Sequence, residues 1–233
     1  MENVGFGRAN NEGIKIAKGK NIFLLNPDTI LLNNAVKILS EFLDNHINVA
    51  ICGGNLYTRE LEPIHSYLMY LPSLYSEVDQ LFGERLSFRR YGNNLFFNHT
   101  EKPLNVGYVT GADMMIRKSV LDEAGYFDPD FFMYFEETEL TFRIRKMGYD
   151  VMSVPDARII HLEGQSVQLK EYRENMFLQS RRLYLRKTSR SRIIFLLCQI
   201  IYGINALIHV VYFSSFRKER ELLKIWKYRL KNF

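Results

Sequence analysis

Cysteine is nearly absent. Only Cys52 and Cys198 occur in 233 residues, far apart and each inside an apolar stretch. That excludes a disulfide framework, and both read as reduced core thiols of a cytosol-facing protein. Proline is scarce at six residues, and no low-complexity linker or internal repeat divides the chain. No secretory leader is expected, because Met1 is followed at once by Glu2 and Asn3. Acidic side chains almost vanish from the last quarter: residues 181–233 carry thirteen Lys/Arg against two Asp/Glu. An acidic body therefore precedes a basic tail, which suits cations at one end and an anionic surface at the other. What is plentiful is apolar and aromatic material, 47% and 14% of the chain, enough for a substantial core and against global disorder.

The sharpest absence is local. Ile193–Phe216 contains no Asp, Glu, Lys or Arg over 24 residues, a length sufficient to cross a bilayer. Gln199, Asn205, His209, Ser214 and Ser215 dilute its apolar character. Arg186, Lys187, Arg190 and Arg192 on one side and Arg217, Lys218 and Arg220 on the other give no clear positive-inside bias. A span, a helix lying in the membrane interface, a helical hairpin, or a docking face for a protein partner all remain open. Nucleic acid is excluded as a partner, because these basic clusters flank an uncharged run instead of forming an exposed groove.

Hydrophobic periodicity organises the rest. Gly5–Gly19 opens glycine- and asparagine-rich and becomes helical. Asn21–Leu25 is a short buried strand ending in the turn Asn26-Pro27-Asp28-Thr29. Asn33–Asp44 carries a helical apolar face, and Ile47–Ile51 is a strand closed by Gly53-Gly54. This succession predicts an α/β layered domain. Residues 60–103 read as an insertion with helical pieces. Val106–Met115 is a strand interrupted at Gly111, and Lys118–Ala124 is a short helix ended by Gly125. Asp150–Val154 and Ala157–Ile160 are two strands parted by Pro155, and Gln168–Lys187 is a long helix.

Three places could carry chemistry. Glu136, Glu137 and Glu139 crowd into four positions behind the aromatic run Phe131–Phe135 (Phe-Phe-Met-Tyr-Phe). Carboxylates beside apolar walls are candidates for metal or proton chemistry; equally, acids favour the first turn of a helix, here ended near Gly148. Asp28 follows a strand end, where open α/β sheets bind ligands, although Asn-Pro-Asp is also an ordinary turn. His161 follows the strand Ala157–Ile160 and precedes Leu162-Glu163-Gly164-Gln165-Ser166, and a lone histidine is more often structural than a ligand.

Their order is more specific than any one of them. Asn26-Pro27-Asp28, Thr110-Gly111-Ala112-Asp113, Gly125-Tyr126-Phe127-Asp128, Glu136-Glu137-Thr138-Glu139-Leu140 and His161 follow the opening Gly5-Phe6-Gly7-Arg8-Ala9-Asn10-Asn11. Over residues 2–166 this resembles glycosyltransferase family 2, with its GT-A fold, and within it rhamnosyltransferase-like enzymes of bacterial surface-polysaccharide assembly. The resemblance implies an inverting transferase moving a sugar from a nucleotide-diphospho-sugar to a saccharide or lipid-linked acceptor at the cytoplasmic face of the cell membrane. It puts Asn26 and Asp28 at the family's Asp-x-Asp metal motif, with Asn for the first acid. Asp28 and His161 would then hold Mg²⁺ or Mn²⁺. Glu137 would be the general base and Glu136 its orienting neighbour, the two being exchangeable because glutamate replaces the commoner aspartate. Gly111 and Asp113 would contact donor sugar and acceptor, and Arg8 and Asn10 the nucleotide side.

The resemblance also implies that a front portion is missing, since family members begin with a strand, helix and strand that bind the base and ribose. The expectation is thus a GT-A fold lacking its first strands over 1–166, exposing an unpaired apolar edge, followed by a basic, helical, membrane-associated region over 167–233. The alternative is a non-catalytic remnant that binds a membrane or a partner enzyme.

Overall fold

A computed structural model describes residues 3–162, 170–217 and 219–233. Helix α1 (Phe6–Ile16) starts directly behind Gly5, and β1 (Asn21–Leu25) alternates buried Ile22 and Leu24 with half-buried neighbours. The turn after β1 leads into β2 (Thr29–Leu31) and helix α2 (Ala35–Asn45), whose Ala35, Leu39 and Leu43 recur at helical spacing and are fully buried. Strand β3 (Val49–Tyr57) does not stop at its glycines, as the sequence suggested, but runs through them. The reason is close packing: a Cβ on Gly54 would collide with the Ala157 carbonyl, and one on Gly53 would press on Val109.

The insertion supplies β4 (Tyr67–Leu68), α3 (Leu74–Leu81) and α4 (Arg85–Tyr91), with α3 held by a Ser73–Ser76 capping box. Strands β5 (Leu104–Asn105), β6 (Tyr108–Val109) and β7 (Asp113–Arg117) follow, so the expected Val106–Met115 strand is two strands parted at Thr110–Ala112. Helices α5 (Lys118–Ala124) and α6 (Glu136–Lys146) precede β8 (Asp150–His161). Here too two expected strands are one. Gly53 pairs with Ser153 and Asn55 with Arg158, so residues 154–157 bulge opposite Gly54. Pro155 sits in that bulge, where its missing N–H costs no ladder bond.

The main sheet runs β1-β7-β3-β8-β2, with β5 also on β8. Only β3 and β8 are parallel; the other pairs are antiparallel. The sheet is therefore mixed, not parallel, and β1 is its terminal strand with an outer edge unpaired among the described residues. One face packs α2 through Leu39, Leu43, Cys52, Met115 and Ile159. The other packs α1, α5 and α6 through Ile14, Met114, Ile116, Leu121, Phe127, Leu140 and Ile144. Both cysteines are buried and unbridged.

Three helices complete the chain: α7 (Lys170–Thr188), α8 (Arg192–Tyr212, ending in a π-turn) and α9 (Arg220–Asn232). Phe131, Tyr184, Leu185 and Cys198 form a cluster that fastens α7 and α8 to the loop before α6. The expected boundary at 166, with Glu163, Gly164, Gln165 and Ser166, lies outside the described residues, as does Lys218.

Candidate active site

The turn after β1 is fixed by its backbone. Asn26 N–H donates to Ala112 O at 3.0 Å, Leu162 N–H to Asp28 O at 2.9 Å, and Thr29 Oγ1 to Asn26 O at 2.8 Å. Because Thr29 pairs with His161 across the β2–β8 ladder, Asp28 is carried to the end of β8. Its Oδ1 lies 3.4 Å from His161 Nε2, and Asn26 Nδ2 lies 3.3 Å from the same nitrogen. Two segments separated by more than 130 residues thus share one sheet end.

The acidic cluster is the first turn of α6. The chain enters it through Tyr134 at φ 70° and Phe135 at φ 65°, two successive side chains in the left-handed region that L-residues seldom occupy. Tertiary contacts hold this entry. Phe6 N–H donates to Phe132 O at 3.0 Å, and Ser180 Oγ to Met133 O at 2.7 Å. The Phe135 ring packs on Phe177 and Tyr184, with centroids 5.4 and 5.5 Å away.

The three glutamates then take different parts. Glu139 accepts from Arg143 Nε at 2.9 Å. Arg143 in turn donates to the carbonyls of Gly125 at 3.0 Å and Tyr126 at 2.7 Å, so Glu139 is an anchor for that turn. Glu136 and Glu137 instead line a cavity of about 240 Å³ together with Asn26, Gly111, Tyr134 and His161. Burial, reinforced by the charge of Glu137, pushes the Glu136 carboxyl up to about 8. Burial also raises Glu137, against the lowering effect of hydrogen bonds from its own and the Thr138 backbone and from Thr138 Oγ1, which lies at 3.1 Å. Glu136 Oε2 has no hydrogen-bond partner among the described residues.

Gly111 lies against this cluster; a Cβ there would come within 3.3 Å of the Phe6 ring and 3.9 Å of Glu137 Cβ. The structure does not bring Asp113, Arg8 or Asn10 to the cavity wall. Asp113 is the first residue of β7 and fully buried, its Oδ2 accepting from Gly54 N–H at 2.6 Å, with its carboxyl lifted well above the usual range by burial. Arg8 Nε donates to Pro129 O at 2.8 Å, and Asn10 Nδ2 to Phe6 O at 3.0 Å. The residue that clamps α1 is Asn11, which exchanges two hydrogen bonds with the Phe127 backbone at 2.8 and 3.0 Å. Nothing in the sequence separates Asn11 from Asn10. His65, from the insertion, also lines the cavity, and its sequence surroundings carry no pattern that points there.

Among the described residues no group of three or more His, Cys, Asp or Glu could hold a metal ion. The donor set at the sheet end is one carboxylate, one imidazole and one amide. Such a set fits a hard divalent cation that takes its remaining oxygens from a phosphate group and water.

Residues 1–181 match the family model described as Glycosyltransferase like family 2. The chain belongs to that family. It is 34% identical over 67 residues to an N-acetylglucosaminyl-diphospho-decaprenol L-rhamnosyltransferase of Mycobacterium tuberculosis, covering 29% of this chain and 21% of that protein. It is 25% identical over 191 residues to the low-salt glycan biosynthesis hexosyltransferase Agl10 of Haloferax volcanii, covering 80% of this chain and 58% of that one. The family 2 chain therefore spans less than two thirds of either relative. Among solved structures it resembles GalNAc-T7 with UDP, GalNAc and Mn²⁺, at TM-score 0.55 and 16% identity over 97% of this chain and 41% of that one. It also resembles the mannosyltransferase PcManGT from Pyrobaculum calidifontis with GDP-Man and Mn²⁺, at TM-score 0.54 and 11% identity over 97% and 64%. These likenesses establish a GT-A-like fold. The family match ends inside α7, the helix that braces the entry to the acidic turn.

Proposed function

We propose that this chain carries the acceptor-side and metal-side residues of an inverting glycosyltransferase. It transfers a sugar from a nucleotide-diphospho-sugar to a hydroxyl of a saccharide or lipid-linked acceptor during bacterial surface-polysaccharide synthesis. The observation that carries this reading is the meeting of Asn26 and His161, with Asp28 behind them, and Glu136 and Glu137 around one cavity. The relatives' names favour a hexose donor such as rhamnose.

In this reading Glu137 accepts the proton of the acceptor hydroxyl as its oxygen attacks the anomeric carbon. Burial, which raises its basicity, suits that role at neutral pH. Attack opposite the departing nucleotide inverts the anomeric centre. Glu136, beside it, orients the hydroxyl, and Gly111 leaves room for the sugar to approach the backbone. Asp28 and His161, with Asn26, would hold Mg²⁺ or Mn²⁺. When bound, that ion supplies charge neutralisation to the leaving diphosphate.

Membrane association is part of the same proposal. Arg192–Phe216 contains an 18-residue stretch of mean hydropathy 2.1 and is long and apolar enough to cross a membrane. Helix α8 is inverted relative to a soluble helix. It buries Gln199, Tyr202 and Asn205 and exposes Ile193, Leu196, Ile200, Ile204, Leu207 and Val211, a continuous apolar stripe. Exposed Lys224, Lys227 and Lys231 on α9 add positive charge suited to anionic headgroups. The site then works at the cytoplasmic face of the cell membrane.

The test is nucleotide release by the purified chain from nucleotide-diphospho-sugars with Mn²⁺, beside Glu137→Gln. Release by the wild type and its loss in the variant supports transfer. No turnover and no donor binding by calorimetry would leave a non-catalytic chain that binds a membrane or partner enzyme.

A further inference from the structure

The apolar stripe of α8 can meet a bilayer in two ways, as a crossing helix or as one lying in its surface. The packing of α9 decides between them. His209 stacks on Trp226 at 4.0 Å, and a Cβ on Gly203 would come within 2.5 Å of the Phe233 ring. Helix α9 therefore runs back antiparallel beside α8. Its Lys227, Arg229 and Lys231 fall level with residues 203–209, the middle of Arg192–Phe216.

That level is rich in charge. Lys227 and Lys231 are exposed, as is Lys224, and Arg229 is tied to Glu174 of α7 by bonds of 2.6 and 3.1 Å. Arg181 of α7 donates to Gln199 Oε1 of α8 at 2.8 Å, pairs with Glu77 of α3 at 2.6 Å and stacks 3.9 Å over the Tyr202 ring. A crossing α8 would draw all of these groups into the hydrocarbon core, where each charge is costly.

Contact along the side of α8 has no such cost. Its exposed apolar residues recur every three or four positions from Ile193 to Val211, so they occupy one face and not the whole circumference. An apolar groove of about 380 Å³ beside Ile200, Ile204 and Leu207 extends this face onto Leu230 and Phe233 of α9. Lys227 and Lys231 stand one turn from Leu230 or next to it, and Lys224 continues their row at helical spacing. An apolar floor flanked by lysines is complementary to acyl chains beneath anionic headgroups.

We infer that α8 and α9 form a hairpin lying flat in an anionic bilayer surface, and that α8 does not cross the bilayer. The inference rests on the membrane association proposed above and fixes its geometry. Phe131, Tyr184, Leu185 and Cys198 fasten α8 to the loop before α6, so an in-plane α8 also sets the height of Glu136 and Glu137 above the headgroups.

Depth along α8 tests this without any turnover. Full chains carrying Ile193→Cys, Ile204→Cys or Val211→Cys would be labelled with an environment-sensitive fluorophore; Cys52 and Cys198 are buried and do not compete. Each would be bound to sealed vesicles of equal parts phosphatidylglycerol and phosphatidylcholine, with nitroxide quenchers at shallow or deep acyl positions. The expected result is one shallow depth for all three labels, about 5–10 Å into the headgroup and acyl boundary. Binding should weaken at least ten-fold on phosphatidylcholine alone, and equally in the triple variant Lys224→Gln, Lys227→Gln, Lys231→Gln, since each lysine contributes roughly five-fold. A label at Ile204 much deeper than those at both ends would show a crossing helix and overturn the inference, leaving membrane association intact. Unchanged binding without anionic lipid, or in the folded triple variant, would overturn it as well. No vesicle binding at all would sink the membrane reading together with the inference and mark the stripe as a face for a protein partner. None of these readouts depends on nucleotide release, so failure of sugar transfer is scored separately.

Discussion

Arg181 of α7 and Glu77 of α3 form an ion pair at 2.6 Å with side chains only 6% and 5% exposed. This contact ties the C-terminal helices to the insertion of the family 2 domain. Burial lifts the Glu77 carboxyl even against the guanidinium beside it, so the pair is poorly solvated. Removing one partner strands the other. Arg181→Met is expected to destabilise the chain by about 3–5 kcal/mol at pH 8, measured by urea unfolding. Without the arginine, the Glu77 carboxyl is raised further, so the loss should shrink as pH falls and the carboxyl takes up a proton.

The glutamates of α6 should separate by function. Glu137→Gln is expected to lower kcat by about 10²–10⁴-fold with little change in thermal stability. Glu139→Gln, which releases Arg143 from its 2.9 Å contacts, is expected to lower the unfolding temperature while retaining more of kcat than Glu137→Gln. Steady-state kinetics beside calorimetry distinguishes the two patterns.

Glu136 makes stability depend on pH in a specific direction. Its carboxyl sits at about 8 when folded, against an ordinary 4.5, so the folded chain binds the extra proton. The group therefore favours folding below about 4.5, and that stabilisation is lost as pH rises through about 8. Glu136→Gln should remove this loss. Its unfolding temperature above pH 8 is expected to exceed that of the wild type by a few degrees, about 2–4 °C per kcal/mol for a chain of this size. At pH 4 the difference should disappear.

Chelation offers a check on the sheet-end site. With EDTA, nucleotide release should stop and return on adding Mn²⁺. Asp28→Ala and His161→Ala should each reduce the Mn²⁺-supported rate by roughly 100-fold or more, as expected for losing several kcal/mol of charge stabilisation. Mn²⁺ binding followed by electron paramagnetic resonance with nucleoside diphosphate present should weaken in the same variants.

Much of this molecule could be read from its sequence wherever spacing alone carries the information. The α2 face, the short β1 strand and the Lys118–Ala124 helix each occupy the place that apolar periodicity gave them. The ordered motifs pointed to family 2, and the family match over 1–181 bears that out. Readings failed where a distant backbone sets the local rule. Gly53-Gly54 looked like a strand end because glycine is a breaker, yet the Ala157 carbonyl leaves room for nothing larger. Pro155 looked like a break, but a bulge opposite Gly54 absorbs it. Asp113 looked like a ligand-facing acid until the phase of β7 turned it toward the Gly54 amide.

By itself the sequence determined which side chains are available: three glutamates at one helix start, Asp28 behind a strand, His161 behind another, and a charge-free apolar helix. Chemistry of residue type and periodicity suffices for that. Only the tertiary structure decided their division of labour. The β2–β8 register brings Asp28 to His161, and the left-handed entry at Tyr134 and Phe135, braced by α7, aims Glu136 and Glu137 at the same cavity while Arg143 takes Glu139 away. Those are facts of register and helix phase, and they arise from contacts between segments far apart in the chain.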